Sequence, residues 1–551
     1  MEATRAPRTN RILPALVAVG ALVSLGACAG PEPAPQASEV TAPQAGGTLV
    51  IAATADITGV NELVAGSGSF TQSVVDLLFL KLFEEQPDFD RGPPTFEPQL
   101  ADRWSWSEDG TVLTIELRRD VRWSDGQTVT AADVEWTWRA QTDPAVAWPL
   151  ANRKDNIVAI EAVEPYEVRV TFADSNPLRL ADLNEGVILP RAVWSELPFA
   201  DWHHHADWFV DHLVTNGPFR LGSWDRQQQI VLQRNPEFHV PQRPLLDRVV
   251  FRIVPDKTSQ LGHLLTGEVQ FVEQVPAADA DRIAASADLR LLSYWARQYN
   301  FICWNTARQP FDSADIRRAL TMAIDRQALV DALWSGHAKV AVSPILSSVW
   351  AHDTALSPLP YDPPAARRLL AAAGWTDSDG DGLLDRQGHD FVFDLITNSS
   401  SAVRVDAAVM IQEQLRRVGI RVDIQRLEFN AVGDRVAAHD FDAMLGGWTI
   451  DTSLDLDYAF HSDSIEDGYN FGSFRDAEVD TLLDQVGRQT RPEEIRHLLV
   501  EVQRRLHQQQ PYTFLWEPQR LTATVVELQN AQPNALDPFY HLADWWLEPP
   551  D

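Results

Sequence analysis

The sequence predicts an α/β protein. Short apolar or alternating runs suited to strands recur along its 551 residues. Stretches with apolar residues at i, i+3 and i+4 recur between them, and the two kinds stay interleaved through most of the chain. No internal repeat is evident, and the length exceeds what one core supports at roughly 150 residues per domain.

The folded part begins near Gly47-Thr-Leu-Val-Ile-Ala52, an apolar run bounded by glycine that suits a buried strand. Val112–Leu117 alternates, with Leu113, Ile115 and Leu117 on one face and Thr114 and Glu116 on the other. Asp125-Gly126 marks a turn. Thr130 then opens a helix, with Asp133 three residues on as its capping partner and Val134, Thr137 and Trp138 on one face. Ile230–Gln233 is a short strand stopped by Asn235-Pro236. Asp312 caps a helix whose Ile316, Ala319, Leu320, Ala323 and Ile324 form an apolar stripe. Asp362-Pro363 starts another helix, which Gly374 ends. A helix over Val405–Val418 leads into a strand carrying Ile420, Val422 and Ile424.

Hydrophobic residues make up 45% of the chain, enough for large cores. Lys and Arg number 46 against 78 Asp and Glu, a net charge of −32 that argues against nucleic-acid partners. With two cysteines, Cys28 and Cys303, neither a disulfide scaffold nor a thiolate zinc cluster is available. Cys303 lies in the apolar run Tyr299-Asn-Phe-Ile-Cys-Trp304 and reads as a small buried hydrophobe.

The N-terminus reads as an address. Arg5, Arg8 and Arg11 precede a short apolar run, Ile12–Ala27, which ends in Leu25-Gly26-Ala27-Cys28. That ending resembles a bacterial lipobox, so residues 1–28 are expected to be a lipoprotein signal with Cys28 the lipidated residue. Residues 29–46, rich in Pro, Ala, Gln and Gly, read as a flexible tether. No later stretch is long and apolar enough to span a membrane. The expected location is extracytoplasmic, with membrane contact only through the anchor.

Several blocks, in order, resemble the family 5 extracellular solute-binding proteins, the dipeptide- and oligopeptide-binding lipoproteins of ABC importers. They are Pro98-Gln-Leu-Ala-Asp-Arg-Trp-Ser-Trp-Ser-Glu-Asp-Gly110, Leu117-Arg-Arg-Asp-Val-Arg-Trp-Ser-Asp-Gly126, Thr130-Ala-Ala-Asp-Val134, Asn216-Gly-Pro-Phe219, Arg234-Asn-Pro-Glu-Phe238, Gly267-Glu-Val-Gln-Phe271, Arg317-Arg-Ala-Leu320, Ala323-Ile-Asp-Arg326 and Tyr361-Asp-Pro363. The resemblance runs from about Gly46 to Glu517. It implies a bilobal periplasmic-binding-protein-like fold of type II that closes on its ligand by a hinge. The expected first lobe takes residues 47–90, 205–297 and 511–551, with a strand-rich insertion at 91–204, and the second lobe takes 298–510. The expected partners are a peptide or similar small solute and the permease subunits. The expected state is a monomer without cofactor or enzymatic activity.

The resemblance also directs attention to Gly446-Gly-Trp-Thr-Ile-Asp451. In peptide-binding relatives a Gly-Trp-x-x-Asp segment holds the ligand's terminal ammonium, which makes Asp451 the expected anchor and Trp448 an apolar wall beside it. Leu454 and Leu456 stand where relatives often have proline, a departure from the pattern. Arg404, ahead of the Val405 helix, is the expected partner of the ligand carboxylate. The alternative for each of these is a solvated or packing role. Trp104, Trp106, Trp123, Trp136 and Trp138, among 19 tryptophans, are read as packing residues. Asp377-Ser-Asp-Gly-Asp-Gly382 follows the start of a calcium loop, but Gly388 occupies the twelfth position where a bidentate Glu belongs. It reads as a solvated turn. His203-His204-His205 cannot all converge on one ion from a regular element, so no metal site is expected.

Three other functions compete, one of them a receptor that only signals or chaperones. The same fold could carry a nickel complex, haem or an oligosaccharide. From another class, a lipid-anchored hydrolase is disfavoured because no Gly-x-Ser-x-Gly or His-Glu-x-x-His motif occurs.

Overall fold

The computed structural model describes residues 43–65, 69–176 and 178–549. The Cys28 anchor and most of the tether lie outside the described residues. The fold is mixed α/β, built on a twelve-stranded sheet. From one edge its strands run Arg421–Leu427, Val392–Asn398, Ala443–Thr449, Gln298–Trp304, Tyr512–Val525, Phe271–Val272, Thr48–Ala53, Arg248–Ile253, Gln229–Arg234 and Phe219–Asp225. Leu289–Trp295 and Ala338–Val340 join along the long strand Tyr512–Val525.

That long strand changes partners midway. Tyr512–Trp516 pairs with residues 300–303, and Gln519–Val525 pairs with Leu289–Trp295. Pro518 lies at the change. It has no N–H to donate to a ladder, so a switch of partner costs least there. Its carbonyl accepts Ala296 N–H at 3.1 Å between the two paired stretches. Glu517, 3% exposed, takes hydrogen bonds from Ser347 N–H and hydroxyl and lies 3.5 Å from Lys339 Nζ, whose ammonium stands 3.8 Å over the Trp295 ring.

The sheet's 298–304 strand shows why its sequence is apolar throughout. Tyr299, Phe301 and Cys303 face one core, and Ile302 and Trp304 face another across the pleat. Burial pushes the Cys303 thiol well above its ordinary pKa, as expected for a packing cysteine. The parallel pair Val392–Asn398 and Arg421–Leu427 is connected by helix Ala402–Arg416, a βαβ unit.

A four-stranded antiparallel sheet, Ala101–Trp106, Val112–Leu117, Glu167–Phe172 and Ile157–Glu164 in spatial order, packs against helix Ala131–Thr142. Leu113, Ile115 and Leu117 are buried as the alternation requires. Asp133 accepts Thr130 N–H at 2.8 Å and its hydroxyl at 2.9 Å, satisfying the helix start. Trp123, Trp136 and Trp138 belong to or pack on this core, Trp104 lies 4.6 Å from Phe83, and Trp106 is 37% exposed against Phe172.

Two helix starts differ from the sequence reading. The helix placed after Asp312 is Ala314–Ala323 with Ser313 as N-cap, because Asp and Ser are equivalent cap types side by side. The helix expected from Val405 begins at Ala402, one residue after Ser401, since the apolar stripe starts later than the backbone turn does.

The Asn216-Gly217 pair locks helix Ser69–Leu78, which carries Gln72 and Asp76 to the site described below. Asn216 N–H and Gly217 N–H both donate to Leu78 O, and Asn216 Oδ1 accepts Leu80 N–H at 2.9 Å. A Cβ on residue 217 would lie 2.5 Å from Leu78 C and 2.6 Å from Leu77 O, backbone atoms that cannot step aside. Gly217→Ala is therefore expected to destabilise the protein by about 1–3 kcal/mol, read as a lower midpoint in chemical denaturation. An unchanged midpoint would contradict this close packing.

A candidate ligand cavity walled by charged side chains

The site begins at the ends of sheet strands. Beyond Ala443–Thr449 the chain turns through Asp451-Thr452-Ser453, held by Ser453 N–H donating to Asp451 Oδ1 at 2.9 Å. Leu454 follows with φ 54°, a left-handed conformation unusual for leucine, and its side chain is buried in the adjacent core. Burial of Leu454 and the Asp451 turn together fix the loop's direction.

This loop walls one side of a cavity of about 490 Å³. The other walls come from helix Ser69–Leu78, the Lys81–Glu85 segment, Arg153, helix Arg179–Asn184, Arg297 and the stretch Leu536–Asp544. Residues separated by hundreds of positions thus meet at one space, and its electrostatics follow from that convergence.

Asp451 lines the cavity but is already engaged. Its Oδ2 accepts from Arg153 Nη2, and Arg153 Nη1 donates to Ser453 Oγ at 3.3 Å and lies 3.8 Å from Asp182. Burial disfavours the Arg153 charge, yet Asp451 and Asp182 outweigh it and hold its pKa above the ordinary value. Asp182 is 5% exposed and also lies 3.3 Å from Arg179. Burial, helped by Asp451, lifts Asp182 to about 7 against the opposing pull of both arginines. Thr452 donates to Glu85, whose carboxyl burial raises. Lys81 lies 3.3 Å from Asp76; burial works against its charge, but Asp76 leads the carboxylates that raise its pKa. Asp537 accepts Ser73 Oγ and Phe539 N–H, both at 3.0 Å, and burial, with Asp76 nearby, lifts it to about 7.

The sequence singled out two further residues here, and neither lines this cavity. Arg404 Nε donates to Asn300 Oδ1 at 3.0 Å. Its guanidinium fills the space above Gly447, where a Cβ would lie 2.5 Å from Arg404 Nη2. Trp448 points to the opposite face of the same strand. It stacks between Phe301 and Phe471 at centroid distances of 6.2 and 6.0 Å and meets Tyr458 and Tyr469 edge-on. Arg153 was not anticipated: Ala151-Asn-Arg-Lys154 carries no motif. Elsewhere, His203 and His205 bond to different backbone carbonyls, Val146 O and Asp201 O. The Asp377, Asp379 and Asp381 carboxylates cluster within 4.8 Å of one another while bonding to backbone N–H groups of their own turn.

A twelve-stranded mixed sheet thus carries a charged cavity at the ends of its strands. Residues 95–470 match the profile of the bacterial extracellular solute-binding proteins, family 5 Middle, and the chain belongs to that family. It is 28% identical over 533 residues to the oligopeptide-binding protein AppA of Bacillus subtilis, covering 95% of this chain and 96% of that one. The structure of that AppA in complex with a nonapeptide superposes with a TM-score of 0.80 at 27% identity, over 92% of this chain and all of the other. NikZ from Campylobacter jejuni, in complex with Ni(L-His), shares the fold with a TM-score of 0.78 at 22% identity, over 91% and 99%. The family is a family of substrate-binding proteins, and among the described residues no helix is long and apolar enough to cross a membrane.

The Asp537 carboxyl generates a prediction with a definite sign. The unfolded chain loses this proton near the ordinary Asp value of about 4, whereas the native state keeps it to about 7. Between those values the native state binds more protons, so this group's contribution to stability falls as pH rises. Asp537→Asn keeps an acceptor for Ser73 and Phe539 without the buried charge. Its Tm is expected to exceed the wild type's by about 1–2 °C at pH 8 and to match it at pH 4. A variant less stable at pH 8 than at pH 4, relative to wild type, would contradict the assignment.

Proposed function

We propose that the protein is the extracytoplasmic substrate-binding component of an ABC importer, that it captures peptides in this cavity, and that it delivers them to a permease without chemical change. The observation that carries the reading is Asp451. A carboxylate at the cavity wall already holds a cation, the Arg153 guanidinium, and a peptide's N-terminal ammonium would offer it another. Whole-length similarity to an oligopeptide-binding protein supports the ligand class.

Closure follows from the sheet. Residues 47–297 with the chain's end would form one lobe and residues 298–510 the other, with Tyr512–Trp516 belonging by its pairing to the second. Ala296-Arg297 and Glu517-Pro518, where both crossing strands change partners, are the proposed hinge. Trp350 N–H donating to Phe89 O at 2.9 Å and Asn176 donating to Val486 O at 3.3 Å bridge the two sides. Cys28 would carry the lipid. Cys28→Ser is expected to move the protein from the membrane pellet to the soluble fraction, because acyl chains alone would retain it. Retention of that variant after a carbonate wash would rule out the anchor.

Because Arg153 already neutralises Asp451, an incoming ammonium exchanges one ion pair for another. Asp451→Ala is expected to weaken binding of free-amine peptides by about ten- to a hundredfold, less than loss of a bare buried charge would cost. Arg153→Ala leaves Asp451 without its internal partner and should tighten the same peptides. N-acetylated peptides should distinguish neither variant from wild type. Calorimetric titration of both variants with free and acetylated forms tests this. Equal losses for both forms in Asp451→Ala would remove Asp451 as the ammonium partner.

A further inference from the structure

The charge of the cavity says more about its ligand than the Asp451 contact does. The residues lining it include eight carboxylates against four lysines and arginines. Three of the cations are spoken for: Lys81 by Asp76, Arg153 by Asp451 and Asp182, and Arg243 by Asp544. Glu84 has His541 at 2.8 Å. Glu85, Glu185 and Asp537 have no Lys, Arg or His partner within ion-pair distance among the described residues. On the positive side, Arg297 has no carboxylate within that distance, and its Nε is used by Ala535 O at 2.9 Å.

Such a surplus has a physical cost. Carboxylates held away from bulk water are costly to ionise: burial raises Glu85 against the pull of Arg297, and burial raises Asp537 with Asp76 adding to it. A cationic ligand relieves that repulsion; an anionic one adds to it. The whole chain, at −32, also draws cations toward the opening.

We infer that the cavity selects ligands of net positive charge: on the peptide reading above, peptides that carry lysine or arginine side chains, with Asp537 and Glu185 receiving the basic group. Arg297 remains the cation available to the ligand's single carboxylate. Together with the ammonium at Asp451, a zwitterionic peptide backbone leaves the surplus uncompensated, and a basic side chain completes the balance.

The test uses the full-length protein at pH 8, where Asp537 has given up its proton, and calorimetric titration with three matched pentapeptides, Ala-Ala-Lys-Ala-Ala, Ala-Ala-Ala-Ala-Ala and Ala-Ala-Glu-Ala-Ala. The expected order of affinity is Lys, then Ala, then Glu, with about tenfold between the first two. Asp537→Asn and Glu185→Gln, each close in shape to the native residue, should together reduce the Lys-to-Ala affinity ratio at least threefold. Circular dichroism confirms that each variant is folded. If the alanine and lysine peptides bind equally, or the glutamate peptide binds best, charge selection is overturned while the peptide reading stands. A ratio unmoved by the folded double variant overturns the assignment to Asp537 and Glu185. Absence of binding by any of the three overturns the peptide reading and this inference with it.

Discussion

One fourteen-residue strand, Tyr512–Val525, ties the two halves of the central sheet together. Its first residues complete the ladder with Gln298–Trp304 and its last complete the ladder with Leu289–Trp295, and those two partners are themselves separated by two residues. The cavity exists because the Asp451 loop from one side meets the helices and loops of the other beside Arg297, which sits at the crossing. Where the long strand leaves one partner for the other, Trp516-Glu517-Pro518 pairs with Ala338–Val340.

The walls are charged on purpose of geometry rather than composition. Asp76, Asp182, Asp451 and Asp537 come from four distant parts of the chain, and burial, more than any single neighbour, lifts Asp182 and Asp537. The Arg153–Asp451 pair shows how the protein tolerates such a site without ligand: a guanidinium from the smaller sheet's connection reaches across and satisfies the anchor. On the proposed function, ligand capture is an exchange of partners, in which affinity depends on the difference between two ion pairs.

Much of the fold was legible in the residues. The Val112–Leu117 strand, the Thr130–Asp133 cap, and the helix bounded by Asp362 and Gly374 all follow from local rules and are found as read. The site was legible only in part, for a physical reason. Asp451 could be picked out because it lies in a contiguous motif, but what faces it depends on which distant loops converge, and Arg153 has no local pattern to announce it. Trp448 shows the converse: nearness in sequence does not bring it to this cavity. It is three residues from Asp451 in sequence, but pleating turns it to the opposite face from Gly447, into an aromatic cluster. Arg404 likewise stands near the motif and is absorbed by the gap that Gly447 leaves in the strand.

On the proposed function a ligand sits between the Asp451 loop and the Asp76–Asp537 wall. A crystal structure of the protein carrying the ligand with which it co-purifies tests this most directly. The expected result is density in that cavity, a cationic group of the ligand within hydrogen-bond distance of Asp451, and Arg153 turned away from it. Ligand density elsewhere, with the Arg153–Asp451 pair intact, would contradict it.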